Sequence, residues 1–426
     1  MSTSKTNPEQ RSKFRLGPGF LVTAAFIGPG TVTAASSAGY TYGLHLLWVI
    51  ALSTLAAILL QEMAGRVGLV TQKPLGAVLR EATPRQELRV ALCTLIFVAI
   101  LFGNTAYQGG NLLGASKGLD ILTGGQIEAT SAGPLIALTC LALVAGLLLA
   151  TGSPKVVSRF LIGLVVVMSL LFLAIALRVC PPALQVAEGL VPQVPQGGLS
   201  TTLALFGTTI VPYNLFLYSS LVRDKWPDAG DTRQSIRESR LDIILAVGLG
   251  GLVTAAILLT GAAAASEKAF TLNHLPEHLK NLISPRLAGL ILGLGLLGAG
   301  LSSAITAPMA ACYAAAGIFG WSTDLKSKQN RCVLGIVLLA GWSIAAAGIL
   351  WEVKPESAII LAQAANGLIL PILALLLWWL ASNTKVLGEY VNGRVAQSLT
   401  FLVVTALSVI WLVNLGGKLW SQFFGD

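Results

Sequence analysis

The 426-residue chain is 54% hydrophobic and only 11% charged, and its mean hydropathy is +0.76. An ordinary soluble domain carries about 25% charged residues, so this composition excludes a soluble globular protein. The formal net charge of +9 does not indicate a nucleic-acid partner, because 21 of the 28 Lys and Arg residues fall in alternate segments between apolar stretches. That bias follows the positive-inside rule for membrane proteins.

Eleven apolar stretches are each long enough to cross a hydrocarbon core about 30 Å thick. They lie at about residues 20–40, 44–64, 90–115, 133–151, 156–180, 199–222, 241–266, 286–318, 330–350, 357–380 and 396–415. The sequence therefore predicts an all-α membrane protein with eleven transmembrane helices, embedded in the lipid bilayer of the inner (plasma) membrane. Residues 1–19 are predicted to form a cytoplasmic N-terminal tail, and the odd number of spans then puts the C-terminus outside.

The first and sixth spans are interrupted in their middles. The first reads AAFIGPGTVTAASSAG, with Gly28, Pro29 and Gly30 at its centre, and the sixth contains Pro212 followed by Asn214. Interrupted spans at matching positions of two halves are typical of inverted-repeat transporters, whose binding site lies between the breaks. We therefore predict one five-helix repeat at 20–180, a second at 199–380, and an additional eleventh helix at 396–415.

The predicted spans carry ionisable side chains only at their ends, whereas hydroxyls and amides cluster near the breaks. Buried ionisable groups usually mark ion paths in transporters. Their absence from the middle of the predicted spans therefore argues against an ion path lined by charged side chains. Each hydroxyl has an alternative role, since Ser and Thr commonly bond to the backbone of their own membrane helix. The candidate substrate-binding residues at the two breaks are Gly28, Pro29, Gly30, Thr31, Thr208, Thr209, Val211, Tyr213 and Asn214.

Five stretches carry a resemblance to a known family. They are GPGFLVTAAFIGPG, LLWVIALSTLAAILLQEMAGRVGLVT, VPYNLFLYSSLV, GLGLLGAGLSSAITAPMA and LAQAANGLILPILALLLWW, in order and over nearly the whole chain. Together they resemble the natural resistance-associated macrophage protein (NRAMP) family of divalent metal transporters, within the amino acid, polyamine and organocation superfamily. The resemblance implies a 5+5 inverted repeat of that superfamily's type, proton-coupled uptake of Mn²⁺ or Fe²⁺, and alternating access.

Several functional positions depart from the family's pattern. In the first break the family has Asp-Pro-Gly-Asn, and this chain has Gly28, Pro29, Gly30 and Thr31. In the sixth span the family has Met-Pro-His-Asn, and this chain has Val211, Pro212, Tyr213 and Asn214. The family's proton-route positions align with Asn104, Tyr107 and Tyr218. The tenth-span Gln that can join the family's metal shell aligns with Gln363, with Asn366 one turn later, and we add both to the candidate substrate-binding residues.

Without a carboxylate or thioether, selective Mn²⁺ or Fe²⁺ binding in the family's manner is not expected, and no resident metal is predicted. We predict a secondary transporter, and no enzyme or cofactor protein, for a small polar organic solute that is neutral, zwitterionic or anionic. A transporter of hydrated Mg²⁺ or Mn²⁺ is the alternative, and a transport-dead sensor is the third possibility. The coupling ion is H⁺ or Na⁺; by analogy with sodium-coupled members of the superfamily, Ser302, Ser303 and Thr306 form a possible sodium site.

Overall fold

A computed structural model of the protein describes residues 17–150, 155–226, 232–280 and 283–424. Helices account for the regular secondary structure of these residues, and no strand occurs within the described ranges. In chain order the helices are α1 (Pro18–Phe26), α2 (Pro29–Tyr42), α3 (Leu47–Thr71), α4 (Leu75–Ala82), α5 (Gln86–Leu122), α6 (Gly133–Ala150), α7 (Lys155–Val179), α8 (Ala183–Gly189), α9 (Leu199–Thr209), α10 (Pro212–Lys225), α11 (Thr232–Ala263), α12 (Leu275–His278), α13 (Pro285–Phe319), α14 (Lys328–Leu350), α15 (Pro355–Ala381), α16 (Thr384–Leu387) and α17 (Arg394–Phe424), with a 3-10 turn at Gly388–Tyr390.

The all-α class predicted from the sequence is confirmed, and a helix lies at each predicted span. By length and composition, eight helical segments of the described chain are able to cross a membrane, and the bent pair α1 and α2 makes a ninth. Over their described residues, α7 and α17 have shorter apolar portions, at Val165–Val179 and Arg394–Ile410. The predicted eleven spans and the inverted repeat therefore remain proposals.

Both predicted interruptions occur at a proline that begins a new helix. α1 and α2 are bent by 57° at their junction, where Gly28 is extended and Pro29 opens α2. In the sixth span, Val211 is extended between α9 and α10, and Pro212 opens α10. Proline lacks the N–H that a continuous helix requires, so the chain breaks at these two residues and restarts.

Close helix contacts hold the two broken segments against their neighbours. α9 packs on α15 where Gly207 lies against the backbone carbonyl of Gln363, and α2 packs on α11 where Gly39 lies against that of Leu258. A Cβ at either glycine would overlap the facing carbonyl oxygen. Small residues thus bring backbones together here, as is common between membrane helices.

Two helices are longer than predicted, and they bury charged residues. α5 continues to Leu122, so that it includes Lys117 and Asp120, and α11 begins at Thr232, ten residues before Asp242. The three side chains are only 5%, 1% and 3% exposed. Hydrogen bonds involving these groups compensate the burial, and the placement of ionisable groups at span ends stays a prediction.

Asp242 holds the beginning of α1. Its carboxylate accepts the backbone N–H groups of Gly17, at 2.9 Å, and of Gly19, at 2.7 Å. The first N–H groups of a helix have no partner within the helix. The carboxylate of α11 therefore supplies the N-terminal cap that α1 lacks in its own sequence.

Candidate functional site

The two helix breaks are joined by a direct hydrogen bond. The hydroxyl oxygens of Thr31 and Thr208 lie 2.7 Å apart, and both side chains are fully buried. The Thr31 hydroxyl also donates to the carbonyl of Phe26, the last residue of α1. Thr31 thus links α1, α2 and α9, and it satisfies a carbonyl that the interruption frees.

The side of the first break that faces α5 and α13 is also polar. The carbonyl oxygen of Ala25 accepts hydrogen bonds from the hydroxyls of Tyr107 and Ser303, each at 3.3 Å. A Cβ at Gly28 would lie 3.1 Å from the Ser303 hydroxyl oxygen and 3.4 Å from that of Tyr107. The predicted positions Gly28, Tyr107 and Ser303 therefore meet at one point.

Gln363 lies between the two broken segments. Its backbone carbonyl contacts Gly207 of α9, and its side-chain amide lies against Gly30 of α2. A Cβ at Gly30 would overlap that amide. The absence of a side chain at Gly30 is therefore what allows Gln363 to approach the first break.

Gln363 is one of five buried amide side chains that we call the carboxamide cluster, namely Asn104, Asn111, Asn214, Gln363 and Asn366. Each is at most 1% exposed, and neither polar atom of any side-chain amide has a hydrogen-bond partner among the described residues. A buried polar group without a partner costs about 1–3 kcal/mol. Water or a ligand at the cluster would remove that cost.

Contacts relate the members of the cluster to the breaks. The Asn111 amide oxygen lies 3.9 Å from the Cβ position of Gly28, and the Asn366 amide oxygen 2.7 Å from that of Gly103 in α5. Asn214 follows Tyr213, whose ring meets that of Tyr107 edge-on with centroids 5.6 Å apart. Amides of α5 and α15 therefore lie against the first break, and Asn214 stands two residues after Pro212 at the second.

Asn111 is a site residue that the sequence analysis missed. It stands seven residues after Asn104 and four after Tyr107, which is the spacing of one helix face. Gln108 belongs to the same buried stripe, and its amide donates to the carbonyl of Ala304 at 3.2 Å. Asn104, Tyr107, Gln108 and Asn111 are polar residues at helical spacing within an apolar span, and this pattern would have identified the polar face of α5 from the sequence.

Other predicted residues are engaged away from the breaks. The Thr209 hydroxyl donates to the carbonyl of Leu205 in its own helix, at 2.9 Å. Tyr218 bonds to the Ser239 hydroxyl at 2.9 Å, and its ring packs on Gly65. Neither contact brings the residue to the carboxamide cluster.

In the possible sodium site, Ser303 is the member that bonds to the first break. The Thr306 hydroxyl donates to the carbonyl of Ser303 at 3.4 Å, and the Ser302 side chain is buried. Pro29 packs against Gly114 of α5, and Val211 is buried at the second break. The structure therefore joins Ser303 to the candidate substrate site.

The site is made of neutral oxygen atoms. No group of three or more His, Cys, Asp or Glu residues able to hold a metal ion occurs in the described part of the chain. Hydroxyls, amide oxygens and backbone carbonyls remain, and such hard oxygen atoms are ligands for Mg²⁺ and for other cations that keep part of their water. The arrangement can bind a partly hydrated cation without neutralising its charge.

Comparison with known proteins identifies a matching family and several similar transporters. The sequence model of the family described as "Natural resistance-associated macrophage protein-like" matches residues 19–415. Divalent metal cation transporter MntH 1 of Pseudomonas aeruginosa is 28% identical over 415 residues, covering 94% of this chain and 91% of that protein. MntH of Bacillus subtilis is 27% identical over 411 residues, covering 94% and 92%. The solved structure of a manganese transporter mutant from Eremococcus coleocola aligns with a TM-score of 0.76 at 21% identity, covering 100% of this chain and 91% of that one.

These similarities contradict the prediction of an organic solute. The relatives are named divalent metal cation transporters, and the structural neighbour is a manganese transporter. The prediction gave too much weight to the missing carboxylate and thioether at Gly28 and Val211. An ion that keeps several waters needs few direct protein ligands, and neutral oxygens near the breaks can serve.

Proposed function

This chain belongs to the natural resistance-associated macrophage protein-like family, and from that premise we propose that it transports a divalent metal cation across the plasma membrane. Transport proceeds by alternating access, with the ion bound between the two helix breaks. The ion is Mg²⁺ or Mn²⁺ carrying part of its hydration shell.

The position of Gln363 carries this proposal. Its amide lies against Gly30 at the first break, its backbone against Gly207 just before the second, and its side-chain amide has no partner among the described residues. The carbonyl groups freed at the breaks add further oxygen atoms in the same region. A cation with several waters satisfies the amide oxygens directly, and its waters donate to the remaining carbonyls.

Weak direct ligation has a consequence for selectivity. Selection of Mn²⁺ over Mg²⁺ by softness requires thioether, thiolate or imidazole ligands, and Val211 and Tyr213 offer none of these at the second break. The transporter therefore accepts Mg²⁺ and Mn²⁺ with similar affinity. This lack of discrimination distinguishes a hydrated-ion site from a site with a sulfur ligand.

We also infer eleven spans in two inverted five-helix repeats, 20–180 and 199–380, with 396–415 as the additional helix. The two proline breaks, five predicted spans apart, support this arrangement. The distribution of Lys and Arg supports a cytoplasmic N-terminus and an external C-terminus.

Proton coupling through the family's route is not expected, because Asn104, Tyr107 and Tyr218 carry no group that exchanges protons readily at neutral pH. Sodium coupling is the alternative, and the hydroxyl of Ser303 beside the Ala25 carbonyl supports it. A sodium gradient across proteoliposomes is then expected to accelerate uptake, whereas a proton gradient is not.

Uptake by the purified full chain in proteoliposomes tests the function. We expect saturable uptake of both Mn²⁺ and Mg²⁺, detected by metal-sensitive dyes trapped in the lumen. Gln363→Leu removes the amide and should lower uptake about tenfold or more, because a bond to a charged ligand contributes about 1.5–3 kcal/mol. Thr254→Val is the matched control, since the Thr254 hydroxyl bonds to the Gly250 carbonyl of its own helix.

The proposal would be overturned if uptake of Mn²⁺ and uptake of Mg²⁺ were both no greater than in liposomes without protein. Saturable uptake of Mn²⁺ with no competition from millimolar Mg²⁺ would overturn the hydrated-ion site while leaving metal transport intact. Equal losses in Gln363→Leu and Thr254→Val would show that the amide has no special part in binding.

A further inference from the structure

A small basic cavity opens where α3 and α11 meet the turn after α16, away from the helix breaks. Its volume is about 240 Å³. It is lined by Arg66, Arg233, Ile236, Arg237, Arg240, Glu389, Tyr390 and Val391. We call these residues the arginine cavity.

The arginine cavity has an excess of positive charge. Four guanidinium groups face one lining carboxylate, Glu389, which pairs with Arg233 at 2.8 Å. That bond lowers the pKa of the Glu389 carboxyl, so the group stays ionised. Glu62 lies behind the lining and bonds to Arg66 at 3.0 Å and to Arg240 at 2.7 Å. The four guanidinium groups and two carboxylates together carry a net charge of +2, and Arg237 is the arginine of the four without a carboxylate partner among the described residues.

Arg237 is the most available of the four cations. It is exposed, and it has no hydrogen bond or ion pair within the described part of the chain. The neighbouring Glu238 is directed elsewhere, since its oxygens accept from Trp226 at 3.0 Å and Gln234 at 2.9 Å. Arg66, in contrast, is fixed by Glu62, Tyr390 and Asn392, and it gives the cavity a rigid inner wall.

An apolar stripe continues from Arg237 along the outside of α11. Leu241, Ile244, Leu245 and Leu252 follow at helical spacing, and each is between 48% and 63% exposed. On the same face, Gly248 has open space where a Cβ would stand. The cationic cavity therefore lies at the end of an exposed apolar surface about three turns long.

We propose that the arginine cavity binds the phosphate of an anionic phospholipid, whose acyl chains lie along the stripe of α11. Guanidinium groups bind phosphate oxygens in bidentate pairs. A phospholipid matches both parts of the surface, whereas free phosphate uses only the cavity. A basic pocket next to a hydrophobic span, on the face rich in Lys and Arg, is suited to such a headgroup.

Native mass spectrometry of the full chain in detergent tests this site. Phosphatidylglycerol and phosphatidylcholine with the same acyl chains are titrated separately, and phosphatidylglycerol is expected to bind more tightly. Each Arg near an anionic headgroup contributes about 1 kcal/mol, so Arg237→Gln should weaken phosphatidylglycerol binding about fivefold. Arg237→Glu reverses the charge and should weaken it further. Because Arg237 makes no intramolecular bond, both variants retain the fold.

Arg85→Gln is the matched control, because Arg85 is an exposed arginine outside the cavity. It is expected to leave phosphatidylglycerol affinity within twofold of the unaltered chain. Equal affinity for the two lipids, or an equal loss in Arg85→Gln and Arg237→Gln, would overturn the proposal. Complete displacement of phosphatidylglycerol by millimolar inorganic phosphate would show a free-phosphate site and would also overturn it.

Discussion

Thr31 and Thr208 share a hydrogen bond of 2.7 Å that crosses from the first interrupted helix to the second. We predict that Thr208→Val weakens this link, because valine keeps the shape but removes the hydroxyl. The expected cost in the free energy of unfolding is about 1 kcal/mol, accompanied by loss of metal uptake. Thermal unfolding and proteoliposome uptake measure the two effects.

Thr209→Val is the control for that substitution, because the Thr209 hydroxyl bonds within its own helix. It should leave uptake nearly unchanged. If both variants transport equally well, the link between the breaks is not required.

Gly28→Asp should raise the affinity for Mn²⁺ and Mg²⁺. The new carboxylate would stand beside the hydroxyls of Tyr107 and Ser303, and its Cβ requires those neighbours to shift by a few tenths of an ångström. A direct bond from a carboxylate to the ion is expected to tighten binding about tenfold or more, which isothermal titration calorimetry measures. Gly28→Asn has nearly the same shape without charge, so an equal gain in that variant would contradict the electrostatic explanation.

Gly30→Ala should abolish uptake and lower stability. The added methyl overlaps the amide of Gln363, and relief of such overpacking typically costs about 1–3 kcal/mol. Gly335→Ala is the matched control, since a Cβ there meets nothing within 4 Å. Alanine inside an exposed helix is expected to be neutral or slightly stabilising, and a similar loss in both variants would refute the assigned contact.

Lys117→Met should loosen the end of α5 that carries Leu122. The Lys117 ammonium is 5% exposed, lies 2.6 Å from Glu128 and is 3.8 Å from Glu356. Its removal leaves partly buried carboxylates without their cation, at a cost of about 1–3 kcal/mol. Hydrogen exchange of residues 119–133 should increase.

The exposed pair Lys73 and Glu81 provides the comparison, because both side chains are about half exposed. Lys73→Met should cost less than about 1 kcal/mol, as is usual for surface ion pairs. Equal costs for the two lysine substitutions would mean that burial of Lys117 adds nothing.

The two helix breaks were predictable from the sequence, since proline lacks the N–H that a continuous helix requires and glycine beside it favours an interruption. Pro29 and Pro212 therefore marked both breaks correctly. The contact between Gly30 and Gln363 was not predictable from local pattern, because 333 positions separate the residues in the chain. The start of α11 at Thr232 was likewise not predictable, because polar residues precede Asp242.

The choice of substrate failed for a different reason. Gly28 and Val211 led to the expectation that the family's direct ligands are absent, but a sequence does not show where carbonyl groups or bound water lie. The carboxamide cluster became evident through burial, because Asn111 and Asn366 look like ordinary polar residues until their surroundings are known.

The cap that Asp242 supplies to α1 also constrains motion. α1 is a nine-residue segment anchored to α11 by two hydrogen bonds to one carboxylate, each contributing about 1.5–3 kcal/mol. Rotation of α1 away from α11 would break both bonds, so the lower-energy path is for the two helices to travel together. For the proposed transport cycle we therefore expect the pivot at Ile27 and Gly28, so that substitutions restricting the backbone angles of these two residues should slow the cycle.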